Sequence, residues 1–374
     1  MTPRTTRITA LAFAALAFSV AVMASAPQAL ALDSVRYQGT DRTYTALGTI
    51  EQMTPTEVVI VNNISKKKDS VPVNAILEVR LDEAPSQMTL LNSAIRQGNY
   101  NRAGELVDQL EAQEGIKNPR VRDELVFFRA LVTSQNALGG SDPAALKKAR
   151  DAMEAFLKQY PTSWHYFEAV TIMGNLYLAI APAESGAVQK EAYDRAVGEY
   201  AKLGQAPWVD YKMRAAISQG HAEKQRGSFT AAQTAYNSAI TLGTGKDEDP
   251  LIGPQLLTAR VGLADTLAET SPAKGIEIIN GVIAKADAEN TRLHAMAFTT
   301  LGKCYLKSKD DKKALMNYLK VDVLYFSFPE YHAEALLNLS NLWNKTNRPE
   351  RAKAAEQLLK ARYPSSVQAA KLGS

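Results

Sequence analysis

The sequence has little of what most catalytic or metal-binding sites are made from. Among 374 residues there is one cysteine, Cys304, and there are four histidines, at 165, 221, 294 and 332. One thiol excludes an internal disulfide, so packing alone must hold the chain together. Cys304 falls in an apolar helical pattern and reads as a buried, inert thiol. No histidine has a second histidine or a cysteine at metal-ligand spacing. His165 and Glu168, three apart, read as a capping or surface pair. A dense basic stripe is also missing, since charged residues of both signs, 22% of the chain, are mixed along it. That excludes a nucleic-acid binder of the usual kind. Beyond the first 31 residues no run is long and apolar enough to span a bilayer.

Other fragments of known chemistry are incomplete. Ser271-Pro-Ala-Lys274 matches Ser-x-x-Lys but has no companion motif. Gly243-x-Gly245-Lys246 lacks the spacing of a phosphate loop, and Asp247-Glu248-Asp249 lacks the grammar of a calcium loop, so both read as solvated loop. No cofactor is expected and no catalytic residue is assigned.

Residues 1–31 have the form of a secretory signal. Arg4 and Arg7 precede an uncharged stretch from Ile8 to Met23, and Ala29-Leu30-Ala31 offers a cleavage position before Leu32. Ala24-Ser25-Ala26 is an alternative cut, and an uncleaved anchor is the alternative fate. Removing Arg4 and Arg7 takes the formal charge from +4 to about +2. The expectation is an exported protein of the periplasm or cell envelope.

Residues 32–84 have the texture of a small β module. Gly48 to Met53 alternates, Glu57 to Val61 is a β-branched run, and Val71–Val73 and Ile76–Leu81 supply further short strands. Lys66-Lys67-Lys68-Asp69 reads as a solvated hairpin tip. Val71-Pro72-Val73-Asn74-Ala75-Ile76 resembles the Pro-x-Asn-x-Ile stretch before the last strand of Src-homology-type small barrels. The resemblance implies a short 3₁₀ turn there. It does not bring that family's proline-rich-peptide site, because only Tyr37 and Tyr44 supply aromatics.

From residue 85 the apolar period changes from two to about 3.6. Phe298-x-x-Leu301-Gly302-x-x-Tyr305 followed by Ala314-x-x-x-Tyr318 resembles the tetratricopeptide pattern. Leu336-x-x-Leu339-Ser340-x-x-Trp343, with Ala352 and Pro364, is a second copy. Further copies carry Met173-Gly174-x-x-Tyr177 with Ala196, Tyr200 and Pro207, then Gly220 with Gly227, Ala232 and Tyr236. Weaker ones carry Gly262 with Ala273, Ala130 with Ala149, Met153 and Pro161, and Gly98 with Tyr100 and Ala103. The second-helix alanines, at 103, 149, 196, 232, 273, 314 and 352, recur every ~36 to 47 residues. The fold expected is mainly α, a tetratricopeptide-like α-solenoid of about seven helix pairs over residues 85–374, preceded by the small-barrel-like module.

The resemblance implies a non-enzymatic scaffold for protein–protein interaction that binds a protein or peptide on its concave face, with possible self-association. Exported bacterial relatives of this look serve envelope assembly. A structural subunit of an envelope or secretion assembly is the alternative. An enzyme with an unrecognised site is a third reading, for which no polar cluster is visible. In such arrays the residue after the small first-helix residue faces the groove, which selects Asn175, His221, Leu263, Lys303 and Asn341. One turn later come Leu178, Lys224, Thr266, Leu306 and Asn344. Asn175, His221, Lys224, Lys303, Asn341 and Asn344 are the candidate partner-binding residues.

Overall fold

A computed structural model describes residues 32–140 and 142–372. The proposed signal sequence lies outside the described residues.

Five strands form one antiparallel sheet: β1 (Asp33–Gln38), β2 (Thr43–Met53), β3 (Glu57–Val61), β4 (Lys68–Pro72) and β5 (Ile76–Arg80), in the order β4-β3-β2-β1-β5. β1 was not legible as a strand in the sequence. It contains Arg36 and Gln38, and its burial alternates only weakly. β2 alternates cleanly, with Ala46, Gly48 and Ile50 inside and Thr45, Leu47 and Thr49 outside. A register shift between Ile50 and Gln52 breaks the β2–β3 pairing, and the eleven-residue β2 pairs with both β1 and β3. A Cβ at Gly48 would strike the backbone of Val61, so only glycine permits that approach. The lysine tip is as expected: Lys67 pairs with Asp69 at 2.8 Å and Lys68 with Glu51 at 2.7 Å. The 3₁₀ turn implied by the small-barrel resemblance is present at Val73–Ala75, where it feeds β5.

Seven helix pairs follow: α1 (Gln87–Arg96) with α2 (Tyr100–Glu111), α3 (Pro119–Gly139) with α4 (Pro143–Gln159), α5 (Tyr166–Ile180) with α6 (Gly186–Leu203), α7 (Val209–Gln225) with α8 (Phe229–Gly243), α9 (Gly253–Leu267) with α10 (Pro272–Lys285), α11 (Thr291–Lys307) with α12 (Asp311–Leu324), and α13 (Pro329–Lys345) with α14 (Pro349–Arg362). A short α15 (Val367–Ala370) packs on the last pair. No described helix is long and apolar enough to cross a membrane.

The sequence starts these helices with local chemistry. Asn99, Asn118, Asp142, Asn290 and Asp310 accept from backbone N–H groups of the first turn, and Pro119, Pro143, Pro272, Pro329 and Pro349 stand at first-turn positions. In four pairs the turn between helices passes through one residue with positive φ: Gly98 (68°), Gly227 (85°), Lys309 (63°) and Asn347 (58°).

Packing then depends on small residues at the helix crossings. A Cβ on Gly302 would lie 2.9 Å from the Tyr318 ring, and one on Gly220 would lie 2.7 Å from the Tyr236 ring. Gly174 is closed in the same way by Tyr200. Ala103, Ala149, Ala196, Ala232, Ala314 and Ala352 are buried as expected. Ala273 is not; it is exposed at the start of α10, and Gly275 takes the contact position, where an added Cβ would meet the Cys304 sulfur at 2.8 Å. The early proline start of α10 shifts the phase by two residues. Cys304 is buried, and burial pushes its thiol up to about 12, consistent with an inert packing role.

The module and the array share one core. Val35, Ile50, Ile60 and Val71 belong to the same buried cluster as Leu91, Leu106, Phe127 and Phe156. Polar contacts then continue along the rim formed by the N-terminal ends of the first helices. Arg120 at the start of α3 donates to the Ile50 carbonyl at 2.6 Å, and Asn118 donates to the Asp82 carbonyl at 2.8 Å. Met53 shares a hollow with Trp164, just before α5. Asn74 donates to Asp210, the second residue of α7, at 3.2 Å.

Candidate functional site

The candidate site is a hollow of about 370 Å³ on the inner faces of α7, α9, α11 and α13. Helical spacing builds it. Arg292, Met296, Thr299, Thr300 and Lys303 form one stripe on α11, and Glu330, Tyr331 and Glu334 form another on α13. His221 and Lys224 are one turn apart on α7, as are Gly262 and Asp265 on α9. Gln368 of α15 reaches the mouth, and Leu178 of α5 closes the other end.

The charges are arranged around Asp265. Its carboxylate accepts from Lys224 at 2.7 Å and from Lys303 at 3.2 Å. Burial would raise the Asp265 carboxyl, but the two ammonium groups hold it below the usual carboxylate range. Burial would lower the Lys224 ammonium, and Asp265 more than restores it. Lys303 also lies 3.8 Å from Glu269, which Lys307 approaches at 2.6 Å. Arg292 pairs with Glu330 at 2.6 Å. Burial pushes the Glu334 carboxyl up, and the nearby Asp265 charge adds to the shift. His221 is lowered to about 4 by burial and by the Lys224 charge, so it is neutral near pH 7.

Tyr236 enters the hollow from behind. Its ring, rooted on α8, passes between Gly220 of α7 and Gly262 of α9, where side chains would collide with it. The phenol is fully buried as a residue, lines the hollow, and its hydroxyl has no hydrogen-bond partner. The corresponding Tyr200 of the preceding repeat is placed beside Gly174 in the same way, but its hydroxyl donates to Asn175 at 2.8 Å.

Of the residues selected from the sequence, His221 and Lys224 line the hollow and Lys303 joins them through Asp265. Asn175 is engaged by Tyr200 one repeat earlier. Asn341 and Asn344 are exposed on α13, while the Lys303 ammonium is directed to Asp265 and Glu269. Thr266 does not face the groove; it is fully buried and its hydroxyl donates to the Leu263 carbonyl. The sequence reading missed Asp265, Arg292, Glu330, Glu334 and Tyr236. A fixed offset from each glycine samples one line along the groove. Counting the third residue beyond Gly262 and the earlier turns of α13 would have found the acidic groups, and the first turn of α11 would have found Arg292.

The remaining histidines serve the fold. His165 is not a surface partner of Glu168. It is buried against Phe127 at 3.6 Å between ring centres, with Nε2 3.0 Å from Glu124 and Nδ1 3.3 Å from Glu168. Burial would lower it, but the two carboxylates outweigh burial and hold it at about 9. His332 lies between Asp322 and Tyr363, both at 2.8 Å. His294 bonds the Asp287 carbonyl. Among the described residues no group of three or more His, Cys, Asp or Glu side chains is arranged to hold a metal ion. Asp247 pairs with Arg260 and Lys285, and Asp249 accepts from Leu251 and Ile252, so the acidic loop is committed to the protein.

No family model matches the sequence, and no curated protein matches it. Solved structures do match in fold. A tetratricopeptide repeat protein from Parabacteroides merdae superposes with a TM-score of 0.51 at 14% identity, over 75% of this chain and 94% of that one. A Rap protein complexed with competence and sporulation factor superposes with a TM-score of 0.50 at 14% identity, over 75% of this chain and 77% of the other. The chain therefore carries a tetratricopeptide-like helical-repeat fold behind an N-terminal antiparallel sheet.

Proposed function

We propose that this chain is a non-enzymatic scaffold of the bacterial cell envelope, exported by its N-terminal segment, which holds a protein or peptide partner in the groove of α7, α9, α11 and α13. The observation that carries the reading is the convergence of charged side chains from four consecutive first helices on one hollow. That is how a helical-repeat array presents an extended recognition surface. The solved Rap protein, with its bound factor, supports capture of a partner by such a fold. His221, Lys224 and Lys303 are the proposed contacts at its centre, and Asn175, Asn341 and Asn344 are proposed contacts further along the array.

The test is recovery of partners from the native envelope fraction. Replacing Lys224 by Met together with Asp265 by Asn, which removes both charges of the pair and leaves no carboxylate without its nearer cation, is expected to reduce recovery while circular dichroism stays that of the parent. Undiminished recovery by a folded variant would sink the groove reading. Export is tested by intact mass, expected to begin at Leu32, or at Pro27 if the alternative cut is used. Full-length protein held in the membrane would support the anchor instead. A second reading, lateral packing in an assembly, draws on Val323, Leu324 and Phe326, large apolar side chains that are 63%, 61% and 49% exposed. Self-association in sedimentation, lost in Leu324→Lys, would favour it.

A further inference from the structure

We propose that the outer face of the β module binds the C-terminal carboxylate of a partner polypeptide. The guanidinium groups of Arg36, Arg80 and Arg96 hold the carboxylate, and the apolar side chain of the last residue lies in the trough between the sheet and α1. This surface is separate from the groove of α7, α9, α11 and α13, and its test does not depend on that groove.

The strand register builds the cationic end. Across the outer face, Leu47 of β2, Ser34 of β1 and Arg80 of β5 stand in one row, and Thr45, Arg36 and Glu78 stand in the next. Arg96, the last residue of α1, comes to the same carboxylate. Three cations therefore meet one anion. Glu78 Oε2 accepts from Arg36 Nη2 at 3.2 Å, while Oε1 accepts from Arg80 Nε at 3.0 Å and lies 3.5 Å from Arg96 Nη1. Burial would raise the Glu78 carboxyl, but Arg80, Arg96 and Arg36 hold it below the usual carboxylate range. Glu78 is enclosed, whereas the side chains of Arg36, Arg80 and Arg96 remain 41%, 58% and 45% exposed. Among the described residues no other carboxylate lies within ion-pair distance of the three. A brace would need only enough cation to balance Glu78. Here the positive charge is in surplus, each guanidinium keeps N–H donors beyond those given to Glu78, and arginine does not shed its proton. An anion from outside answers that surplus.

The second observation is the trough. A hollow of about 420 Å³ adjoins the cluster and shares Arg80 with it. Leu32, Leu47 and Met88 give it apolar walls, and Ser34, Thr89 and Asn92 set polar groups among them. That mixture decides the class of guest. A peptide backbone can bond to the hydroxyl and amide groups beside its apolar side chain, whereas an acyl chain would leave them unpaired. A planar carboxylate also matches the guanidinium fork. The acidic groups of the trough stand away from its cationic end. Glu124 has its oxygens engaged by Trp164 and His165, and Asp82 and Glu83 follow β5, past Arg80 from Glu78.

The experiment uses the full chain and three hexapeptides carrying fluorescein at the N-terminus. They are Gly-Ser-Gly-Ser-Ala-Leu with a free C-terminal carboxylate, its C-terminal amide, and a free-acid twin ending in Ser. Fluorescence anisotropy is expected to rank the Leu acid about tenfold tighter than its amide and about threefold tighter than the Ser acid. Arg80→Gln with Arg96→Gln, which leaves Arg36 to hold Glu78, should bring the preference for acid over amide below about twofold while amide binding is unchanged. Leu47→Ser should remove the preference for Leu over Ser and keep the preference for acid over amide. The proposal is overturned if acid and amide bind the parent alike, if neither binds, or if either folded variant keeps the preference it should lose. Sedimentation with phosphatidylglycerol vesicles, lost in the double Gln variant and without any peptide preference, would assign the arginines to a lipid surface and overturn it as well.

Discussion

Two enclosed histidines show how differently the array uses its rim and its groove. His165, on the rim beside the β module, faces Glu124 and Glu168 and is held charged at about 9. His221, on the inner face, has the Lys224 ammonium nearby and is held neutral at about 4. Both are deprived of water, so burial alone would make both neutral; the nearest charge decides. The rim is closed: Glu124 accepts from Trp164 at 2.7 Å while its other oxygen meets His165 at 3.0 Å, so both carboxylate oxygens are engaged. The groove is less closed: the Tyr236 hydroxyl, enclosed between Gly220 and Gly262, has no hydrogen-bond partner. A region whose polar groups are all engaged serves folding.

The contrast can be broken most severely at Glu124. Glu124→Ala leaves a buried imidazolium and an indole N–H without their partner and is expected to cost ~3–5 kcal/mol, measured by denaturant unfolding. Glu334→Ala in the groove should cost far less or stabilise. Equal losses at the two sites would erase the distinction.

Next in size are the crossings that both regions share. Gly174→Leu and Gly302→Leu each drive a side chain into a buried tyrosine ring and should cost ~1–3 kcal/mol. A variant that melts with its parent would mean the repeat phase is wrong at that pair.

A pH titration separates the two histidines in sign. The folded-state value of His165 is raised above its ordinary 6.5, so its contribution is complete below pH 6.5 and is lost as pH climbs through about 9. His221 is depressed, so its contribution is present above 6.5 and is lost as pH falls toward 4. Relative to the parent, His165→Gln should lose its stability deficit on the alkaline side, and His221→Gln on the acid side. Deficits that move in the same direction would contradict the assignment.

The smallest effect is expected on the exposed flank. Asn341→Ala with Asn344→Ala should stay within ~0.5 kcal/mol of the parent, because neither side chain is buried. Lys303→Ala is not neutral in this sense, since it removes one of two cations from Asp265.

The fold was far more legible in the sequence than the site. Gly174, Gly220 and Gly302, with their tyrosines and alanines, set the phase of the array, because a close crossing of two helices tolerates so few residue types. Pro72 and Asn74 marked the 3₁₀ turn for the same local reason. Ala273 misled, because a small residue beside a proline start looks the same whether it packs or not. The site escaped because acidic residues on an inner stripe look like those on any solvated face. Only the superposition of four helices shows that Asp265 serves two lysines. Lys224 and His221 were found because they share a phase with the glycines; Asp265 and Glu334 do not.

The bond from Asn74 to Asp210 has a mechanical consequence. An array whose repeats touch only their neighbours behaves as a spring, with a small bend available at every joint. Here the β module is fused to the first pairs through a common core and is tied again at the start of the fourth. Such a brace bridges the joints between them, so that end of the coil has little freedom to lengthen or twist. The free compliance is left to the joints beyond α7, which are the ones that carry the hollow, so a load on the coil would widen or narrow the place where a guest sits.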